Sequence, residues 1–467
     1  MASPGTSTGD HAFPHLTDVL GSLPMLRRYS LISLFFRLAD DSTGAQEKVV
    51  THLQQALASL ASAVPWLAGR VVFEGSDATR SGIRHIVSHR GTIPLFVKHL
   101  GQTTAADHGG FPSFAQLQDA DFPMAFLDSD VLVPRIAISW DSTNPDIVAP
   151  VLVLQANFVD GGLVLTVCSN HTTMDMTGLK IVIRYIAKAC RGESLSSSEV
   201  AQANQDRRHV VPLLGDDYQP GPELDDSLVK PAKDTLKAQG AAHPKPAKWA
   251  YFKFSNPALA ELKREASKQD AVPYITTDDA VSALCWQRIQ AARRATLGPA
   301  AAAESQLCRT VSMRKALGLE GYTGHVVDCA YARAADVCDL PLGAVAATLR
   351  RLVRDGDAQL RHFRAYATVL DRLDDKSAIV SGARLDPRSD VVVSSYVHLR
   401  SCADSFGPLL GAPVAARRPR MPPWPSLLYL MPKDAGGGIA VAACLPEDEV
   451  EFLRRDEEMA RYAVYIG

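Results

Sequence analysis

Long apolar runs are missing from this chain of 467 residues. The longest, such as Ala149 to Leu154 and Leu163 to Cys168, fall far short of the ~18 residues a helix needs to cross a bilayer, so no membrane partner is expected. An excess of charge of either sign is missing too. Forty-nine Lys and Arg stand against 51 Asp and Glu, a formal net of −2, which removes the electrostatic footprint of a general nucleic-acid binder. Cysteines never pair at short spacing. The eight (Cys168, Cys190, Cys285, Cys308, Cys329, Cys338, Cys402 and Cys444) sit singly, mostly in apolar segments, which indicates neither a disulfide framework nor a structural zinc site. Buried, reduced thiols in a cytoplasmic protein are the simpler reading. Met1 to His11 is small and polar, with no cationic stretch leading into an apolar one, so no secretory leader is expected.

Glycine motifs for nucleotides are also lacking. Gly436-Gly437-Gly438 has no helical pattern after it and no Gly-Lys-Ser/Thr nearby, and reads as a hairpin turn. No Gly-x-Ser-x-Gly sequence stands between an apolar strand and a helix, since Gly5-Thr6-Ser7-Thr8-Gly9 lies in the polar opening stretch; serine-hydrolase chemistry by that route is not indicated. The basic cluster Arg417-Arg418-Pro419-Arg420 is a solvated loop or a weak candidate for meeting an anionic cofactor.

What is present is a well-punctuated alternation of strands and helices. Thr43-Gly44-Ala45-Gln46 has capping-box spacing, and Val49, Leu53, Leu57, Leu60 and Val64 recur at helical intervals up to Pro65, which predicts an amphipathic helix. Val71 to Phe73 and Gly82 to Ser88 predict a short hairpin, and Gly101 to Asp121 reads as loop. Val151 to Phe158 and Leu163 to Ser169, joined by Val159-Asp160-Gly161-Gly162, predict a β-hairpin apolar on both faces, as suits the middle of a covered sheet. Leu179, Val182, Ile183, Ile186, Ala187 and Cys190 then predict a buried helix. From about Arg207 to Lys248 prolines, glycines and charges replace the periodic pattern, the best linker candidate. Beyond it, helices are expected at Asn256 to Lys268, Thr277 to Arg294 and Leu342 to Leu360, a strand at Asp390 to Leu399, and a last helix opening with Pro446-Glu447-Asp448-Glu449.

One constellation carries chemistry. His171-Thr172-Thr173-Met174-Asp175 falls where the buried strand stops and the helix has yet to begin. Thirteen histidines and 51 acids give about one accidental acid four residues after a histidine, so the spacing alone is weak. Position strengthens it, because sites are commonly built on loops at the ends of rigid strands. Asp175 as a mere helix cap and His171 as a satisfied histidine remain the bland alternative. No third ligand stands at a normal spacing, so no metal is expected. His171 as a general base, with Asp175 shaping its loop, is the remaining chemical reading.

Gln155-Ala156-Asn157-Phe158, Gly161-Gly162-Leu163 and Asn170-His171-Thr172-Thr173-Met174-Asp175-Met176-Thr177-Gly178 together resemble the BAHD acyltransferases, in particular their fungal trichothecene 3-O-acetyltransferase-like branch. Asp18 to Gly21 with Leu23-Pro24-Met25-Leu26, Val64 to Arg70, Thr277 to Ala280 through Cys285-Trp286, Val311-Ser312-Met313-Arg314, Gly321 to Gly324, Ser394 to Tyr396, and Phe406-Gly407 with Gly411 and Pro413 follow that family's order over nearly the whole chain. Departures occur as well: Ser405 and Pro408 stand at the Asp and Trp of its second signature, Met176 at a usual Gly and His325 at a common Asn.

The resemblance implies an α/β chain of two domains in the chloramphenicol-acetyltransferase-like arrangement. The halves would be 1–206 and 249–467, with a crossover at 207–248, each a mixed β-sheet flanked by helices, with the active-site channel at the domain interface. It implies His171 as catalytic base and Asp175 as its companion, paired with Arg314, with Gly178, Phe406 and Gly407 as structural support. Acyl-CoA would be a co-substrate and no cofactor would be tightly bound; Arg417 and Arg418 are the weak candidates for touching it. The acyl group, acetyl in the first instance, would go to a hydroxyl or an amine of a small secondary metabolite, a hydrophobic hydroxylated one being expected, and the enzyme would be a cytoplasmic monomer. Two alternatives stay open at this stage: a stand-alone condensation-type enzyme with a carrier-protein donor, and a BAHD-derived scaffold that binds a metabolite, or steers its cyclisation, without acylating it.

Overall fold

The computed structural model describes residues 12–467 except 78, 102–109, 141, 143, 145–146, 229–244, 269–271 and 355. The apolar hairpin forms as β5 (Leu152–Val159) and β6 (Gly162–Asn170), with every residue of β5 and of β6 buried. Two-sided burial follows from position. In the five-stranded sheet β6 lies between β5 and β1 (Tyr29–Arg37), β5 lies between β6 and β4 (Leu95–His99), and the far edge is β11 (Ala415–Arg417). Strand β11 comes from the C-terminal half of the chain and pairs antiparallel with β1, Ser33 opposite Arg417 and Phe35 opposite Ala415.

A second, seven-stranded sheet runs β14 (Ala463–Tyr465), β7 (Ala247–Phe254), β13 (Ile439–Pro446), β12 (Leu427–Leu430), β10 (Val391–Ser395), β8 (Glu304–Ser312), β9 (Val327–Ala335). Strand β10 is parallel to both neighbours and the other pairings are antiparallel, so this sheet is mixed. The helices Thr43–Ala63 and Met176–Cys190 cover the first sheet through Leu53, Leu57 and Leu60 and through Val182, Ile183 and Ile186. The helix Thr277–Leu297 covers the second through Leu284 and Ile289. A third apolar cluster joins Leu20, Leu23 and Leu26 to Phe363, Tyr366 and Leu370 of the helix Gly356–Arg372, so the opening segment is held by the C-terminal half. The architecture is a two-domain α/β fold of mixed sheets flanked by helices.

Several local expectations shift. The first helix is capped by Ser42, whose hydroxyl accepts from the Ala45 N–H, rather than by Thr43. The loop expected at Gly101 to Asp121 contains the helix Phe114–Asp119, closed by a capping box between Ser113 and Gln116; 102–109 lie outside the described residues. The long helix expected at Leu342 to Leu360 is two, Leu342–Leu352 and Gly356–Arg372, since Val353 leaves helical geometry and Gly356 is a poor interior residue. The strand expected to Leu399 ends at Ser395, where Tyr396 turns the chain into a single 3₁₀ turn, Val397–Leu399. Part of the expected linker, 229–244, lies outside the described residues.

The half-kept second signature has a structural task. The Phe406 ring is fully buried and meets Phe36 of β1 edge-on at 5.0 Å. Gly407 has φ +86°, and a Cβ there would lie 2.6 Å from the Cys190 carbonyl oxygen at the end of the helix Met176–Cys190. The Ser405 carbonyl accepts from Arg191 at 2.6 Å, while Pro408 is exposed. Truncation by Phe406→Ala is expected to cost about 3–5 kcal/mol of stability, measured by chemical denaturation. An unchanged denaturation midpoint would contradict the structural assignment.

Candidate active site

Strand β6 ends at Asn170, whose side chain and backbone shape the loop that follows. Its Oδ1 accepts from the Thr172 hydroxyl at 2.7 Å, and its carbonyl accepts from the Thr173 hydroxyl at 2.7 Å and the Thr173 N–H at 3.0 Å. The His171 N–H donates to the Arg28 carbonyl at 2.8 Å, which fixes the loop against the residue preceding β1. On the ring, Nδ1 lies 3.1 Å from the Met174 carbonyl. A carbonyl can only accept, so Nδ1 carries the proton and Nε2 keeps its lone pair. Burial, the nearby His325 ring and the Arg28 charge together hold the imidazole's pKa down to about 3. The ring is therefore neutral at physiological pH.

Asp175 makes no hydrogen bond to that ring. It caps the helix Met176–Cys190, its Oδ1 accepting from the Gly178 N–H at 2.8 Å, and it binds Arg314 bidentately, Nη1 to Oδ2 at 2.8 Å and Nη2 to Oδ1 at 2.9 Å. The Val326 N–H adds a contact to Oδ2 at 3.1 Å. Arg314 also donates to the carbonyls of Tyr322 and Gly324, at 2.9 and 2.8 Å. Burial by itself raises the carboxyl pKa, but the Arg314 charge and its hydrogen bonds bring it below the usual carboxylate value. Gly178 permits this junction, because a Cβ there would lie 2.0 Å from the Thr323 carbonyl oxygen. Cap and ion pair are thus one group, the bland and the chemical readings of Asp175 combined.

A second buried layer escaped the sequence reading. Arg207 donates to the Thr173 carbonyl at 2.7 Å and to the Thr323 hydroxyl at 3.0 Å, with its guanidinium 4.5 Å over the Trp66 ring. Arg84 donates to Asp18 at 3.0 Å, and Asp18 accepts from the Gly21 N–H at 2.6 Å. Arg207 opens a stretch that reads as linker, and no local periodicity marks it as a core residue.

His171 faces a cavity of about 640 Å³ between the two sheets, which Arg28, His325, Ser394, Tyr396, His398 and Trp424 also line. The His325 ring lies 5.4 Å from that of His171, and its buried Nδ1 has no partner among the described residues. The remaining sequence candidates stand elsewhere. Phe406 and Gly407 are outside the cavity, as described above. Arg417 and Arg418 are buried rather than solvated, and neither lines the cavity: Arg417 closes β11 and donates to the Asp121 carbonyl at 3.2 Å, and Arg418 lies 4.4 Å over the Tyr429 ring. The alternation that looked like a charge run is a strand end with its stems in the core. Among the described residues no group of three His, Cys, Asp or Glu is placed to hold a metal ion, and no helix is long and apolar enough to cross a membrane.

Residues 28–190 match the trichothecene 3-O-acetyltransferase-like N-terminal domain. The whole chain is similar to a trichothecene 3-O-acetyltransferase of Fusarium sporotrichioides, 37% identical over 99% of both chains, and to an O-acetyltransferase of a Cryptosporiopsis species, 36% identical over 96% of this chain and 97% of the other. The crystal structure of the Fusarium sporotrichioides enzyme, complexed with coenzyme A and T-2, superposes with a TM-score of 0.88 at 35% identity, covering 98% of this chain and 100% of that one. Vinorine synthase shares the fold, with a TM-score of 0.63 at 16% identity over 100% of this chain and 96% of that one. With His171, its loop and the two flanking sheets in this arrangement, the chain belongs to the trichothecene 3-O-acetyltransferase-like family.

Proposed function

We propose that this protein is an acyl-CoA-dependent O-acyltransferase that moves an acyl group, acetyl in the first instance, onto a hydroxyl of a small secondary metabolite, with His171 as general base. The observation that carries the reading is the Nδ1–H bond to the Met174 carbonyl, which commits the lone pair to Nε2 on a ring that faces the cavity. In the step, the acceptor oxygen attacks the thioester carbonyl carbon as its proton passes to Nε2. The tetrahedral intermediate then collapses, the C–S bond breaks, and the imidazolium returns the proton to the departing sulfur. No acyl-enzyme is needed. Asp175 and Arg314 act as positioning residues, keeping the loop in register without touching the reacting atoms. Names and contents of the related structures support acetyl-CoA as donor and a small hydroxylated metabolite as acceptor. Eight free thiols agree with a reducing, cytoplasmic setting, and in this reading the enzyme acts as a monomer.

Labelled acetyl-CoA incubated with hydroxylated acceptors, deoxynivalenol among them, is expected to yield a labelled ester. His171→Ala should lower kcat by ~10²–10⁴ while leaving coenzyme A affinity intact; equal turnover by variant and wild type would end the general-base assignment.

Low proton affinity at His171 keeps the base form present in acid. The kcat/KM profile should therefore stay level from about pH 8 to about pH 5, its acid limb lying well below the ~6.5 of free imidazole. A limb at the free-imidazole value would show that the ring is not held as described.

Removing one partner of the buried pair, by Asp175→Ala, is expected to cost about 3–5 kcal/mol. Since the carboxyl pKa is lowered in the fold, the pair's contribution is complete above the unfolded carboxylate value and is lost as pH falls through the folded one. Denaturation curves collected across that range would test both statements.

A further inference from the structure

Most buried arginines here have an evident carboxylate. Arg314 has Asp175, Arg84 has Asp18 and Arg309 has Asp279. Arg28 differs. It lines the cavity with its guanidinium 4.7 Å over the Trp424 ring, and among the described residues it makes no ion pair and no side-chain hydrogen bond. Arg418 behind it, 4.4 Å over Tyr429, likewise has no carboxylate partner among the described residues. The side chains that act most strongly on the Arg28 charge are Tyr429, Arg418 and Tyr396, none of them a carboxylate. The cavity's own carboxylates are committed elsewhere: Asp175 to Arg314, Asp386 to Arg388, and Asp390 to the N–H groups of Gln306 and Asp386. Two neighbouring cations in a partly dry wall are costly unless something bound supplies the counter-charge.

The wall around Arg28 is flat and aromatic. Tyr396 and Tyr429 are stacked with centroids 5.4 Å apart at 27°, and Trp424 is 42% exposed, so its indole is open to a ligand. Arg28 also stands at the reacting end of the cavity, since its charge bears on the His171 ring and its carbonyl holds the His171 N–H. Coenzyme A phosphates lie a whole pantetheine arm away from the thioester and so do not account for it.

We infer that Arg28 recognises an acidic acceptor: besides the hydroxyl that is acylated, the natural substrate carries an anionic oxygen, a carboxylate or an ionised phenol or enol, on a flat conjugated ring that lies against Trp424 and pairs with the Arg28 guanidinium. The inference rests on the acyl-transfer reading for the fate of that acceptor, but the anion site can be measured by itself. A fork of two N–H donors suits a carboxylate or a pair of adjacent oxygens. An anion there would also offset one of the charges that keep a proton off His171.

The test uses the full chain with coenzyme A bound and measures, by calorimetry, the affinity for 4-(hydroxymethyl)benzoate, for its uncharged methyl ester, and for 4-hydroxy-3-nitrobenzyl alcohol at a pH where its phenol is ionised. The two anions are expected to bind about 10- to 100-fold more tightly than the ester, the range expected of one charge-assisted contact; whichever anion binds better distinguishes carboxylate from phenolate. Arg28→Gln should erase the difference, Arg28→Lys should keep part of it, and coenzyme A affinity should stay as in wild type. Equal binding of acid and ester by the wild-type protein would overturn the inference, as would an Arg28→Gln variant that loses coenzyme A and keeps the acid. Acetyl transfer is recorded on the same samples. Arg28-dependent anion binding without transfer would leave the site standing and sink the acyl-transfer reading, whereas transfer to the neutral ester with no preference for the acids would do the reverse.

Discussion

Two parallel N–H···O contacts between the Arg314 guanidinium and the Asp175 carboxylate tie one sheet to the other at the place where the imidazole is held. Asp175 follows β6 of the first sheet, and Arg314 follows β8 of the second. A desolvated pair of this kind contributes little net attraction over a well-packed apolar contact, but it tolerates only one geometry. That intolerance is its use here. With both oxygens occupied, the carboxylate cannot swing to His171, so the ring takes its orientation from the Met174 carbonyl alone and presents Nε2 to the space between the halves.

Around that pair the molecule behaves as a set of nested supports. Arg207 holds the loop from behind through Thr173, and the Asp18–Arg84 pair holds the segment carrying Gly21. The helix Met176–Cys190 is pinned at its start by the Asp175 cap and at its end by Gly407 and the Ser405 carbonyl. The latter contacts explain why a second signature reduced to Phe406 and Gly407 can still serve. The aromatic ring fills the space under Phe36 and the glycine allows the close approach. Ser405 contributes its backbone, and the exposed Pro408 needs no indole.

How much of this could be read from the residues depended on range. The β5–β6 hairpin and the helix after it were legible because strand and helix periods are local, and His171 stood out because it falls at their junction. Asp175 as a cap was equally local, whereas its partner 139 residues away came only through family likeness. Arg207 and Arg28 gave no signal, since a single arginine looks the same whether it meets water, a carbonyl or an indole. Arg417 misled for the same reason: its neighbours suggested a solvated charge run, and the pairing with Ser33 of β1 that buries it lies far away in sequence. The helix Phe114–Asp119 is too short to carry a helical period, so its only local mark is the capping box of Ser113 and Gln116.

Strand β11 has a temporal consequence. The first sheet gains its outer edge only when Ala415–Arg417 docks on Ser33–Phe35 of β1, so the whole stretch between them must be synthesised before that edge can close. Until then β1 presents unpaired N–H and C=O groups, the kind of border on which strands of other molecules add. Without β11 the first sheet is therefore open along Ser33–Phe35, and the late strand covers that stretch of its border.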